Sequence, residues 1–379
     1  YFGPVDRTLM RGFQSFGGLV PGVALPLVKE QMQKETANVI LPGESELLTQ
    51  HLAERRREGV RMNVNFLGEA ILSELEAERR LQQYLQALQW PEVEVVSIKI
   101  STLYSQISSL AREHTIEMLC DRIERLYLTA DRGRFERADG TVVPKFVYLD
   151  MEEYRDKDLT AEAFMRTLDS DGLKHVNAGI ALQSYIPDSY RTLKQILEWA
   201  RKRVAAGGGR ITVRLVKGAN MESERVESSA RGWPQAPYPT KLETDANYKR
   251  LLHEVMKPEN LAAMNVGVAS HNLFDISYAL VLAHEKSAMD RVQFEMLEGM
   301  ANAQRRALHE LTKNVLLYAP ACKRENFISG IGYLIRRLDE NTGPENFLRH
   351  AFKLEVGSPD WQQLEQGFLE AYRAAGSVS

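Results

Sequence analysis

The 379-residue chain is 44% hydrophobic and 26% charged, enough apolar content for a sizeable core and too much for a disordered segment. Its 48 basic and 51 acidic residues are well mixed and leave a net charge of -3, so the electrostatics do not favour nucleic acid as a partner. Two cysteines, Cys120 and Cys322, exclude a disulfide framework and a four-cysteine zinc site and fit a reducing compartment.

In chain order, residues 1 to about 45 carry Gly-Gly and Pro-Gly punctuation and one helix pattern, ALPLVKEQMQKE, which predicts an N-terminal helical appendage over 1–45. The chain starts Tyr1-Phe2-Gly3 without methionine or a signal-peptide pattern, and no run approaches the roughly 18 apolar residues that span a bilayer. The expectation is a cytoplasmic protein whose ends are processed or excised. ESELLTQHLAERRREG then predicts a helix leading into the first strand and closing the bottom of a barrel. Eight β-rich stretches follow: RMNVNFL from Arg61, VEVVSIKI from Val93, KFVYLD from Lys145, VNAGIALQS from Val176, RITVRLV from Arg210, AMNVGVA from Ala263, DRVQFEML from Asp290 and NVLLYA from Asn314. Each precedes a helix pattern, so the strands are parallel and the fold class is α/β, a (β/α)8 TIM-type barrel over 46–350. Neither GGG at Gly207 to Gly209 nor GIG at Gly330 to Gly332 has the context of a dinucleotide fingerprint. From Phe352 onward, FLEAYRAAG predicts a helix packed outside the barrel, giving a C-terminal helical segment over 351–379.

In such a barrel the chemistry sits at the C-terminal strand ends. Those positions hold Asn65 and Glu69, Lys99 and Ser101, Asp150, Gln183, Arg214 and Lys217, His271 and Asn272, Glu295 and Glu298, and Tyr318. Near the end of the chain, at about 100° per residue, Tyr333, Arg336, Arg337 and Glu340 share one helix face, with Phe327, Ile331, Leu334, Ile335 and Leu338 opposite. Lys99, Arg214, Lys217, Arg336 and Arg337 together predict an anionic ligand, a phosphate or a carboxylate. Lys217-Gly218-Ala219 after the fifth strand offers a cation and unobstructed backbone to a pyrophosphate. His271 has no histidine companion at a strand end and the carboxylates are scattered, so no metal site is expected. Bland readings compete: Lys99 and Asp150 as a structural ion pair, His271 as a core histidine, the arginine pair as a solvated face. So do a Schiff-base lyase using Lys99 beside Asp150 and a catalytically silent scaffold barrel.

The ordered set SIKIS, LDMEE, RLVKGA, SHN, YAP and YLIRRLDEN followed by Phe347 resembles the proline dehydrogenase family, nearest to the proline dehydrogenase part of the bacterial bifunctional proline utilization A flavoenzymes. The likeness runs from about Gly59 to Phe347. It implies an FAD-containing barrel that oxidises L-proline to Δ1-pyrroline-5-carboxylate by hydride transfer to flavin N5 and passes the electrons to a membrane quinone, with peripheral contact at the inner membrane. It further implies that Arg336, Arg337 and Lys99 hold the proline carboxylate, that Leu297, Tyr318 and Tyr333 pack against the substrate, and that Asp150 neighbours the lysine. Glu69 would be the gate partner of Arg336. FAD would meet Asp150, Met151, Gln183, Arg214, Val216, Lys217, Gly218, Ala219, Ser270, His271, Asn272, Leu297, Arg337, Glu340 and Phe347. The chain departs from the family pattern at Asn220 and Met221, where relatives usually have two aromatics, and at Asn65, where they often have aspartate. No aldehyde dehydrogenase part is recognisable in these 379 residues.

Overall fold

The structure, a computed structural model, describes residues 36–68, 71–343, 346–351 and 354–378. Eight strands, β1 (Arg61–Phe66), β2 (Val95–Lys99), β3 (Phe146–Asp150), β4 (Gly179–Gln183), β5 (Ile211–Val216), β6 (Met264–Ala269), β7 (Val292–Leu297) and β8 (Val315–Cys322), pair in sequence order, all parallel. β8 closes on β1 with Tyr318 opposite Asn63, so the sheet is a barrel. The first seven strands fall within the predicted stretches, and β8 begins within NVLLYA but runs three residues past its end, to Cys322. Their runs of Val, Ile and Leu are buried on both sides, as parallel strands wrapped by helices must be. A two-residue strand, Leu41–Pro42, extends the sheet by pairing with Ala321 and Cys322. The N-terminal helix pattern at residues 24–35 lies outside the described residues.

The principal helices are α1 (Ser45–Arg57), α2 (Glu74–Ala87), α3 (Arg112–Arg132), α4 (Lys157–Leu168), α5 (Ser189–Ala205), α6 (Met221–Arg231), α7 (Lys241–Val255), α8 (Leu273–Glu285), α9 (Asn302–Thr312), α10 (Phe327–Thr342) and α11 (Pro359–Ala374). The predicted bottom-closing role of α1 is corrected. It starts beside the C-terminal end of β8 and delivers the chain to the start of β1, burying Leu48 and Leu52 against the barrel, so it runs down the flank as a member of the outer ring. His51 and Arg55 on α1 reach Glu298 at 3.2 and 3.0 Å. Glu298, expected at the mouth, is therefore committed to the barrel's exterior.

α10, the helix after β8, lies across the mouth. Tyr333 is buried, while Ile328 and Ile335 are 66% and 53% exposed. Phe327 is buried too and Leu334 packs on the cluster of Ile40, Leu67 and Cys322, while Arg336 is exposed, so the inward face of α10 is mixed, neither wholly apolar nor wholly polar. The mouth offers that face apolar neighbours on one side and a cavity on the other. α11 packs on α7 and α8 through rings: Phe274 meets Trp361 at 4.8 Å between centroids and Phe368 at 6.0 Å, and Tyr278 meets Tyr372 at 5.6 Å.

Candidate active site

Strands β2, β3, β5, β7 and β8 supply an inner polar network below the mouth. Arg214 of β5 is 3% exposed, donates from Nε to Glu295 of β7 at 2.5 Å and from Nη1 to Asp150 of β3 at 2.8 Å, and lies 3.7 Å from the centroid of the Tyr148 ring. Burial alone lowers a guanidinium pKa, but the two carboxylates outweigh it and hold Arg214 above its ordinary value. Gly267 of β6 makes the layer possible, because a Cβ there would overlap the Glu295 carboxylate. Asp150 also accepts from Tyr318 Oη at 2.8 Å and Ser97 Oγ at 3.1 Å. Burial pushes its carboxyl up, and Arg214, Tyr318 and Lys99 oppose the rise without cancelling it.

Lys99 and Asp150 are register partners on adjacent strands, yet the lysine's ion pair is with another acid. Its Nζ lies 2.6 Å from Glu152 Oε1, just past β3. Burial presses the ammonium toward neutrality, but Glu152, then Asp150, outweigh it and hold its pKa above the usual lysine value, against the opposing charge of Arg336. Ser101 donates to the same carboxylate.

The loop beyond β5 carries the second cluster. Lys217 is not a free cation for a phosphate, as the sequence suggested, since its Nζ sits 2.6 Å from Asp245 of α7 and 2.7 Å from Asp275 of α8. Lys241 also pairs with Asp245, and Lys249 lies 3.0 Å from Asp275. Three ammonium groups thus share two carboxylates, which leaves this wall with a positive excess. Gly218 adopts φ +111°, and a side chain on it would run into the Tyr185 ring. Beside this cluster, Ser270 Oγ accepts from Asn272 N at 3.1 Å and Asn272 caps α8 by accepting from Phe274 N at 2.9 Å. The N-terminus of a 13-residue helix therefore faces the same space.

Leu297 N–H donates to His271 Nε2 at 3.0 Å, so the neutral ring carries its proton on Nδ1. Burial, then Arg337, pushes the His271 pKa down to about 4. Gln183 donates from Nε2 to the carbonyls of Met151 and Glu152 at 2.8 and 3.2 Å. Asn220, one of the departures from the family pattern, donates to the Glu152 carbonyl at 2.8 Å and holds the loop after β3 by a polar contact.

One cavity is lined by Lys99, Asp150, Met151, Gln183, Arg214, Val216, Lys217, Gly218, Ala219, Ser270, His271, Asn272, Leu297, Tyr318, Tyr333, Arg336, Arg337 and Phe347, so these predicted residues do converge. Asn65, 2% exposed, lines it as well. Arg336 is exposed and Arg337 half-buried, its guanidinium 5.2 Å from the Tyr333 ring centroid. Glu69 lies outside the described residues, and Glu340 is placed on α10 by its backbone alone. Sequence reasoning assigned no role to Glu152, Asn220 or Lys241. Glu152 was within reach, since it belongs to the LDMEE motif, whereas Lys241 and Asp245 sit on a helix with no local mark. Among the described residues no cluster of three His, Cys, Asp or Glu side chains is placed to hold a metal ion.

The fit to a flavin nucleotide rests on what the protein leaves unanswered. His271 Nδ1, Gln183 Oε1 and Arg214 Nη2 are buried at or below the cavity wall without a hydrogen-bond partner. Such groups are costly unless a ligand completes them. With the positive wall at Lys217, the open backbone at Gly218 and the helix end at Asn272, they suit a polar heteroaromatic ring joined to a diphosphate.

Residues 48–350 match the family model described as proline dehydrogenase. Proline dehydrogenase of Deinococcus radiodurans is 27% identical over 299 residues, covering 78% of this chain and 85% of that one. The bifunctional protein PutA of Salmonella typhimurium is 24% identical over 80% of this chain, which spans only 23% of it. Among solved structures, proline utilization A from Corynebacterium freiburgense has a TM-score of 0.80 at 34% identity, covering 97% of this chain and 35% of that one. The Bdellovibrio bacteriovorus protein, described as inactivated by N-propargylglycine, has a TM-score of 0.78 at 29% identity, covering 89% and 36%.

Proposed function

The chain belongs to the proline dehydrogenase family, an oxidoreductase family of proline catabolism, and from that premise we propose that it oxidises L-proline to Δ1-pyrroline-5-carboxylate with FAD bound in the barrel mouth and quinone as electron acceptor. The observation that carries the reading is the convergence of Lys99, Arg336 and Arg337 with Tyr318 and Leu297 on one cavity that also contains the unanswered groups of His271 and Gln183. We take residues 46–350 as the catalytic barrel, followed by a C-terminal helical segment.

Arg336, Arg337 and Lys99 receive the substrate carboxylate, each charge-assisted contact contributing about 1.5 to 3 kcal/mol. Tyr318, Leu297 and Tyr333 contact the pyrrolidine ring. Because Tyr318 commits its hydroxyl proton to Asp150, the phenol oxygen presents only acceptor capacity to the cavity, which suits the substrate N–H. Arg214, held cationic by Glu295 and Asp150, places fixed positive charge where reduction of a bound ring builds negative charge. Gln183, His271 and the 217–219 loop hold the cofactor, and FAD when bound supplies the hydride acceptor.

Support for a lipid-dissolved acceptor comes from the rim. Leu72, Leu75, Leu110, Ile328 and Ile335, all on segments that follow strands at the mouth end, are between 53% and 99% exposed. Among the described residues no helix is long and apolar enough to cross a membrane, so contact would be peripheral. The test is a visible spectrum of the FAD-reconstituted protein before and after anaerobic addition of L-proline. Loss of the yellow absorbance supports the reading, and unchanged absorbance refutes it. The Schiff-base lyase has less support, because a lysine held protonated by Glu152 is a poor nucleophile.

A further inference from the structure

The opposite end of the barrel, where the strands begin, holds a second cavity of about 950 Å³ that the proposed reaction leaves unused. A hairpin of Arg134–Glu136 and Val142–Pro144, between α3 and β3, lines part of it and brings Arg137 to it. Some of the charges around it answer one another: His175 lies 3.0 Å from Asp131, Arg291 3.3 Å from Asp290 and Arg56 3.6 Å from Glu136. The lining then still holds Arg61, Arg137, Lys145 and Lys313 against Glu94 and Asp139, four cations against two acids. We propose that this chamber is a second binding site, for a small oxyanion that also carries a hydroxyl group, a phosphate or a hydroxycarboxylate, held by Arg61, Arg137 and Lys145.

Glu94, 3% exposed, is the centre of the cluster. Its Oε1 accepts from Arg61 Nε at 2.9 Å and from Arg137 Nε and Nη2 at 3.0 and 2.7 Å, so two guanidinium groups share one carboxylate oxygen, while Oε2 is buried without a hydrogen-bond partner. Arg61 is fixed further through Nη1, which donates to Gln293 Oε1 at 2.7 Å and Asn314 Oδ1 at 3.3 Å. Among the described residues neither Arg61 Nη2 nor Arg137 Nη1 has a protein acceptor, so two forks locked on one acid keep oriented N–H groups in reserve. Lys145 is 5% exposed and donates to the Trp90 carbonyl, with no carboxylate in ion-pair range among the described residues. Burial pushes its pKa down to about 8 against the pull of Glu92, which leaves it a buried cation short of negative charge at neutral pH. Thr212 and Asn265, near the starts of β5 and β6, add neutral polar groups to the lining. Charges kept at this end of a barrel for stability alone would pair off, because an unanswered buried charge is costly. An oxyanion answers the cations, and its hydroxyl proton answers Glu94.

The test is calorimetry of the FAD-reconstituted protein with inorganic phosphate and with citrate, at neutral pH and constant ionic strength. Wild type should bind at least one of the two at a single saturable site, and Arg337→Met, altered only at the mouth, should match its affinity to within about twofold. Arg137→Met and Lys145→Met should each lose about tenfold or more, with Arg137→Lys recovering part of the loss. Arg137→Met leaves Glu94 paired with Arg61, so the variant should fold, which far-ultraviolet circular dichroism checks. As a second readout, the bound anion should raise the thermal midpoint of wild type and not that of Arg137→Met. The tighter of the two ligands shows which oxyanion the chamber takes. Saturable binding of neither, or equal affinity in wild type and Arg137→Met, overturns the proposal. So does a loss in Arg337→Met as large as in Arg137→Met, which would place the anion in the mouth.

Discussion

At the residue scale the site is a set of cations whose partners define their jobs. Arg337 lies in the mouth beside Tyr333, and Arg337→Met should raise the Michaelis constant for proline by about tenfold or more, since one charge-assisted contact is worth roughly 1.5 kcal/mol or more. Steady-state kinetics with an artificial electron acceptor measure this; an unchanged constant would make the pair a solvated face. Arg214 has the opposite character. Arg214→Met strands Glu295 and Asp150 in the barrel interior, so denaturant unfolding should show a loss of about 3 to 5 kcal/mol, the cost of breaking a buried pair from one side. His271 has a sign of its own. Its folded pKa of about 4 lies below the usual histidine value, so between about pH 6.5 and 4 the unfolded chain binds a proton the folded chain does not. Stability from this group is therefore fully present above that window and lost as pH falls through it, and His271→Gln should flatten that part of a stability-versus-pH curve.

At the element scale, placement of the helices separated correct from incorrect expectations. The eight strands were legible because buried parallel strands leave apolar runs of the right length between helix patterns, as in VEVVSIKI and RITVRLV. For α10, amphipathic periodicity said that the helix has two faces without saying which neighbour each one meets, and only the family resemblance directed the arginine pair to the mouth. Its inward face is mixed, with Phe327 and Tyr333 buried and Arg337 half-buried at the cavity. β6 shows a constraint of a different kind. Gly267→Ala should push Glu295 aside, weaken retention of FAD on dialysis and cost about 1 to 3 kcal/mol from overpacking. Retention equal to wild type would mean that the Arg214–Glu295 pair tolerates displacement.

At the scale of the whole molecule, the exposed apolar rim sits on the same end as the cavity. Replacing Leu110 and Ile335 together with lysine should leave turnover with a water-soluble dye acceptor within about twofold of wild type while lowering co-sedimentation with lipid vesicles and turnover with a long-chain quinone. Equal loss with both acceptors would place the defect in the barrel instead. α11 adds stability from outside. Phe368 meets Phe274 and Tyr278, and Phe368→Ala should cost about 2 kcal/mol of buried apolar contact, read by denaturant unfolding.

By itself the sequence determined the alternation of strands and helices, hence a closed parallel barrel, and the cast of side chains at its C-terminal end, because strand order places those residues there whatever the details of packing. The tertiary structure alone decided which charges answer one another: Lys99 with Glu152 in place of its register neighbour Asp150, Lys217 with acids from two distant helices, Glu298 with α1 on the outside. Ion pairing acts over a few ångströms between groups far apart in the chain, and that information is absent from local pattern.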